Sequence, residues 1–297
     1  MKFDRAALTR TVTLADGGWS TQLVARGFPA AGMAETANFT HPELVVELAR
    51  AYLDAGAQFI TTNTFAANRW NLERRRVPHN VAEVNRRGAE LAREAIGERA
   101  ALVAGSIGPS GKLLVLRETT EAELQRLFAE QAEGLAGGGA DVLLLETFSE
   151  LAEALLALRT VKQTTGLPVI ASLSFDSGPQ RTRTMMGAEA SECATALEDA
   201  GADVVGFNCG SGVETALPAV VALRAATRLP LWVKPNAGLP ELEEGRAVWK
   251  QTPEEFAGHF GQILEAGANI VGGCCGSGPA HIARLATLVR RRGKGGV

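Results

Sequence analysis

The sequence predicts a (β/α)8 barrel, a TIM barrel, built as a single α/β domain over residues 1–297 with its core at about residues 11–289. Three observations predict it. A phrase recurs along the chain: a small-residue turn, a short apolar run, then polar or glycine residues, as in "AGAQFITTNTF" from Ala55, "GGADVLLLETF" from Gly138, "AGADVVGFNCG" from Ala200 and "AGANIVGGCCG" from Ala266. Four further runs fit the same template, making eight strands alternating with amphipathic stretches of helical length. The runs are continuously apolar rather than alternating, which means strands covered on both faces, as in a parallel sheet.

The strands follow in order. Thr11 opens "TVTLADGG", which ends in Asp16-Gly17-Gly18, and the second run ends in Thr62-Asn63-Thr64-Phe65. The third, "ALVAGSIGP" from Ala101, ends in Gly105-Ser106-Ile107, and the fourth in Glu146-Thr147-Phe148. The fifth, "PVIASLSF" from Pro168, carries Ser172 and Ser174, and the sixth ends in Asn208-Cys209-Gly210. The seventh, "LWVKPNAG" from Leu231, ends in Asn236-Ala237-Gly238, and the eighth in Cys274-Cys275-Gly276. Pro42, Pro253 and Pro279 fall where first helical turns begin, a position that suits proline. A doubly wound open sheet is the alternative. It would show more polar edge strands, and no GxGxxG follows the first run.

Composition narrows the function. The charged fraction is 21% and the formal net charge −3, which gives no basis for a nucleic-acid or membrane surface. There is no apolar leader at "MKFDRAALTR" and no apolar run of membrane-spanning length. The basic "RRRGKGGV" end reads as a last helical turn followed by a frayed tail. Four cysteines in 297 residues are no disulfide scaffold, so reduced thiols in a cytoplasm are expected.

Barrel enzymes keep their working residues at the C-terminal strand ends. Cys209, Cys274 and Cys275 therefore meet on one rim. Three thiolates with a fourth position open make a catalytic zinc site, with zinc–sulfur bonds of about 2.3 Å. A strained vicinal disulfide or simple packing of Cys274 and Cys275 are the alternatives, and the flanking glycines offer little to pack against. Cys193, in "ASECATALEDAG", reads as a buried apolar residue of a helix.

Asp16 and Glu146 stand on the same rim and read as a clamp for a substrate ammonium group. An ion pair with a nearby Lys or Arg, or a turn at "DGG", is the alternative. Asn63, Asn208 and Asn236 fit two roles equally, bonding a substrate carboxylate or holding the loops. Ser106 joins them as a substrate-binding candidate. His41, His79, His259 and His281 read as ordinary helix and loop residues, His281 lying nearest the rim. Trp19 and Trp70 read as residues that pack in the barrel loops, or as an aromatic wall for a bound cation. Lys234 lies within the seventh strand; an aldolase-type lysine there would want a phosphate loop where the cysteine pair stands.

The motifs "GGCCG", "FNCG" about 65 residues earlier, "ADGG", "TNTF" and "PNAGLP" together resemble the zinc-dependent homocysteine S-methyltransferases, from about Thr11 to about Val289. That family takes in S-methylmethionine– and betaine–homocysteine methyltransferases and the homocysteine module of cobalamin-dependent methionine synthase. The resemblance implies zinc on Cys209, Cys274 and Cys275, the homocysteine thiol in the fourth position, and Asp16 and Glu146 on its amino group. The backbone of Gly17 and Gly18 and the three asparagines would surround the amino-acid end. Two departures stand out: "DGGWST" where "DGAMGT" or "DGGLGT" is common, with Trp19 and Ser20 in place of a smaller residue and a glycine, and Ser277-Gly278 where "TT" is common.

The chemistry suits these residues. A free thiol has a pKa of about 8.5, and zinc coordination deprotonates it. Three cysteinates leave the zinc site with excess negative charge, which keeps a bound sulfur nucleophilic and favours a cationic methyl donor. S-methylmethionine or S-adenosylmethionine is the expected donor and betaine the next. A corrinoid or folate partner protein is a further expectation for a homocysteine-activating subunit, and a homo-oligomer is open. A non-catalytic zinc or thiol redox protein is the alternative of another class; it leaves Asp16, Glu146 and the asparagines idle.

Overall fold

The computed structural model describes residues 1–243 and 246–294. Eight parallel strands form one sheet: β1 (Thr13–Leu14), β2 (Phe59–Thr61), β3 (Leu102–Ile107), β4 (Val142–Phe148), β5 (Val169–Leu173), β6 (Val204–Cys209), β7 (Leu231–Pro235) and, after a hairpin, β10 (Ile270–Val271). Their spatial order is β1-β10-β7-β6-β5-β4-β3-β2, and a parallel bridge between Ala15 and Phe59 joins the two ends. The sheet is thus a barrel, as the eight apolar runs predict.

Each strand is buried on both faces because it serves two cores. The barrel interior holds Leu102, Ala104, Leu144, Ile170, Val204, Ile270 and the edge-to-face pair Phe59–Trp232, whose ring centroids lie 5.6 Å apart. Leu8, from the short helix Arg5–Leu8, packs into this interior cluster. The second and larger core lies between strands and helices and draws on Leu143, Leu145, Leu158, Val205, Leu231 and Phe256 among others. Gly206 makes room for Trp232; a Cβ there would stand 2.2 Å from the Trp232 carbonyl oxygen.

The helices start where the local chemistry says. Pro42 and Pro253 open Pro42–Asp54 and Pro253–Glu265, and Pro279 opens Pro279–Lys294. Asn80 with Glu83, Thr120 with Glu123 and Thr252 with Glu255 form reciprocal capping boxes that satisfy the first free amides. The basic end is helical to Lys294; the frayed tail expected beyond it, residues 295–297, lies outside the described residues. No helix of the described residues is long and apolar enough to cross a membrane.

Two features differ from the sequence reading. A small antiparallel hairpin, β8 (Glu241–Glu243) with β9 (Arg246–Val248), stands in the loop after β7. It was invisible because its residues lack an apolar periodicity; Leu242 is exposed. The last barrel strand is also short, so Cys274 and Cys275 lie in the loop beyond it rather than on it.

Candidate metal centre and its cavity

The C-terminal ends of the strands surround a cavity of about 250 Å³. Cys209, Cys274 and Cys275 line it together, and their sulfurs all lie within 4.8 Å of one another. Backbone hydrogen bonds hold this cluster. Cys274 N–H donates to the Pro235 carbonyl at 2.8 Å, and Gly273 N–H to the Asp16 carbonyl at 3.0 Å. Asn236 bridges both cysteine loops: its Nδ2 donates to Gly210 O at 2.7 Å and its Oδ1 accepts from Cys275 N–H at 3.0 Å. Ser277 Oγ donates to the Cys274 carbonyl at 2.7 Å, so the departure from "TT" keeps a hydroxyl on the cysteine loop. Gly18 is needed for close approach, since a Cβ would come within 2.6 Å of the Cys274 carbonyl oxygen.

The thiols are matched to a dication. Hydrogen bonds from Cys274 and then Cys275 pull the Cys209 thiol down to about 3. The contact with Cys209, aided by burial and opposed by Cys275, pushes Cys274 up to about 12, and Cys209 and Cys274 push Cys275 up as well. One thiolate forms readily and then opposes the next two. A divalent cation removes that opposition, and three soft sulfurs are the donor set of zinc or a similar metal. The fourth cysteine, Cys193, is buried in the helix Ala190–Asp199 and takes no part; burial pushes its thiol up to about 12.

Glu146 reaches the cavity through an irregularity. The β4–β5 register shifts between Leu145 and Phe148, leaving Glu146 and Thr147 unpaired at a bulge, a device that re-aims side chains. Thr147 holds a left-handed φ of 65°, costly for a β-branched residue. Asn208 compensates: its Oδ1 accepts from Thr147 N–H at 2.8 Å and its Nδ2 donates to Thr147 Oγ1 at 2.6 Å. Ser106 Oγ donates to Glu146 Oε1. Desolvation raises the Glu146 carboxyl to about 7, with the Cys274 and Asp16 charges adding to it and Lys234 and Ser106 opposing.

Asp16 is held by groups of the chain itself. It is fully buried and does not line the cavity; its carboxylate meets the Lys234 ammonium at 2.5 Å and accepts from Thr61 N–H, Thr61 Oγ1 and Trp19 Nε1 at 2.7, 2.8 and 3.0 Å. The alternative weighed for it, an ion pair with a nearby cation, is what the geometry shows. Asn208 and Asn236 likewise hold loops and stand behind the cavity wall, whereas Asn63 lines it with Gly17, Gly18 and Ser106. Asn63 Nδ2 donates to Ala34 O at 2.7 Å.

Trp19 lines the cavity, while Trp70 sits elsewhere with the Lys112 ammonium 3.9 Å from its ring centre. The histidines stay out of the cavity lining. His281 pins a loop, its Nδ1 accepting from Gly278 N–H at 3.2 Å and its Nε2 meeting Gln251 O at 2.9 Å. His79 stacks on Phe39 at 3.7 Å, His41 meets the Phe28 ring edge-on, and His259 is exposed mid-helix. Two charged cavity residues escaped the sequence reading, Lys234 as a site group and Glu35, a buried acid in the 3-10 turn Ala34–Thr36. Position gave a partial signal for Lys234, which lies two residues before Asn236; Glu35 sits mid-loop with no motif around it.

Comparison with known proteins agrees with this geometry. The family described as Homocysteine S-methyltransferase matches residues 13–289. Methionine synthase of Mycobacterium tuberculosis is 35% identical over 95% of this chain, but the match spans 25% of that protein, so the chain has about a quarter of its length. Betaine–homocysteine S-methyltransferase 1 of Danio rerio is 32% identical over 93% of this chain and 72% of its own. Among solved structures, the metallated form of the homocysteine methyltransferase MmuM from Escherichia coli superposes with a TM-score of 0.81 at 27% identity, covering 96% of this chain and 99% of that one.

Proposed function

This chain belongs to the homocysteine S-methyltransferase family, and we propose that it transfers a methyl group to the thiol of L-homocysteine, giving methionine, in a zinc-dependent reaction. The observation that carries the reading is the convergence of three cysteine sulfurs in a cavity that also holds the free carboxylate of Glu146. Cys209, Cys274 and Cys275 would hold the zinc. Bound there, zinc would offer one further position at which a substrate thiol loses its proton and stays nucleophilic at neutral pH.

The chain's own residues do the rest. Glu146 accepts the amino group of homocysteine, with Ser106 fixing one carboxylate oxygen. Gly17 and Gly18 offer backbone to the amino-acid end, and Asn63 borders it. Asp16, Asn208 and Asn236 act at one remove, through Lys234, Thr147 and the cysteine loops. The methyl donor loses its methyl group with the bonding electron pair remaining on the donor, and the homocysteine sulfur forms the new bond. A positively charged donor suits an anionic cavity, so S-methylmethionine or S-adenosylmethionine is the first choice. Betaine is the second, favoured by the coverage of the betaine-dependent relatives.

The chain as a whole would act as one homocysteine-binding barrel domain, core residues about 11–289. Three clustered free thiols suit a reducing, cytoplasmic setting. The test is methionine formation from homocysteine by zinc-loaded protein offered S-methylmethionine, S-adenosylmethionine, betaine and methylcobalamin separately. Turnover with one of the first three supports the reading. Turnover with methylcobalamin alone makes the chain the homocysteine-activating part of a corrinoid-dependent system. No turnover with any of them removes the assignment.

A further inference from the structure

Two kinds of carboxylate stand in and around the cavity. Asp16, behind its wall, is committed to Lys234, the single Lys or Arg among the described cavity-lining residues. Glu146 and Glu35 line the same cavity, and among the described residues neither forms an ion pair. They stand on different sectors of the rim. Glu146 rises from β4, while Glu35 lies in the β1-to-β2 connection and touches the loop after β2. Cys209 ends β6 and the cysteine pair follows β10, so the sulfurs belong to a third sector.

We propose that Glu35 is the specificity-determining carboxylate for the methyl donor, facing the positively charged sulfonium or quaternary ammonium centre, while Glu146 takes the ammonium of the acceptor. This rests on the reading of the site as a homocysteine methyltransferase, which supplies two cationic centres to one cavity. Glu35 is only 5% exposed, yet its side chain reaches the cavity, and no side chain among the described residues donates to it. A carboxylate left without a cation in so dry a place is costly unless a ligand supplies the charge. Its Oε1 accepts from Ala66 N–H at 2.7 Å, fixing the turn that presents Phe65. Phe65 and Trp19 both line the cavity, and aromatic faces with a nearby carboxylate are the usual surroundings of a methylated cation.

The experiment measures binding of the trimethylsulfonium ion to zinc-loaded protein without homocysteine, in wild type, Glu35→Gln, Glu35→Asp and Glu146→Gln. The glutamine keeps an oxygen for Ala66 N–H and removes the charge. The expected result is affinity weakened about five-fold or more by Glu35→Gln, and little changed by Glu35→Asp or Glu146→Gln. In turnover, Glu35→Gln should raise KM for the donor and leave KM for homocysteine unchanged. Equal binding by wild type and Glu35→Gln, no binding by wild type, or a matched rise in both KM values overturns the proposal. Because the binding arm needs no reaction, absent methyl transfer would sink the function reading while the Glu35 result is still read.

Discussion

Asp16 and Lys234 lie 218 positions apart in the chain and meet at 2.5 Å inside the barrel, spanning from the end of β1 to β7 with β10 between them. Both are buried, at 0% and 3% side-chain exposure. Burial alone would pull the Lys234 ammonium down; the Asp16 and Glu146 charges outweigh it and raise it above its ordinary value. The pair ties the sheet together where strands β1 and β10 are each two residues long.

Removing one partner leaves a buried charge without compensation. Lys234→Met should lower stability by about 3–5 kcal/mol, and the double variant Asp16→Asn/Lys234→Met should recover much of that. Urea unfolding midpoints of the three proteins decide it. A single variant as stable as wild type would show that the ion pair contributes nothing.

Cys274→Ala should abolish zinc retention and methyl transfer together and leave the barrel folded. The cysteine lies in a loop beyond β10, away from both hydrophobic cores. Metal analysis and far-UV circular dichroism on one sample give both readouts. Full methyl transfer by this variant would refute the metal-centre reading.

Gly18→Ala tests the support of that centre. The added Cβ would fall 2.6 Å from the Cys274 carbonyl oxygen and 2.8 Å from Thr21 Oγ1, so the cysteine loop must move. Zinc affinity should drop by about 10–100-fold, as when other supports of metal ligands are lost. Gly137→Ala, where a Cβ meets nothing within 4 Å, is the control and should leave zinc affinity unchanged. Chelator competition measures both.

Glu146 gives a pH signature in the metal-free protein. Its carboxyl is raised from 4.5 to about 7, chiefly by desolvation. A raised acid stabilises the fold fully below the unfolded value, and the benefit is lost as pH rises through the folded value. Glu146→Gln should therefore match wild type near pH 4 and exceed it above pH 7. The gain is about 1–3 kcal/mol, discounted because the side chain is partly accessible. Thermal unfolding at several pH values reads the difference; a constant offset across that range would contradict it.

Much of the fold was legible from the eight apolar runs, because a strand covered on both faces must be apolar throughout. The three cysteines were legible for the same reason: once strand ends are known, residues at those ends share a rim. The pairing of Glu241–Glu243 with Arg246–Val248 was not, since exposed residues such as Leu242 carry no burial pattern. Asn208 and Asn236 were left between two roles; in the structure one grips Thr147 and one joins Gly210 to Cys275.

What the sequence determined by itself was periodic or positional: the eight strands, the proline helix starts, and the meeting of Cys209 with Cys274 and Cys275. Tertiary structure alone decided how each acid is used. Asp16 was neutralised by a lysine from a distant strand, Glu146 was turned into the cavity by a bulge, and Glu35 was brought in by a loop. A carboxylate's role depends on its burial and on which cation stands beside it, and both are fixed by contacts between residues far apart in the chain.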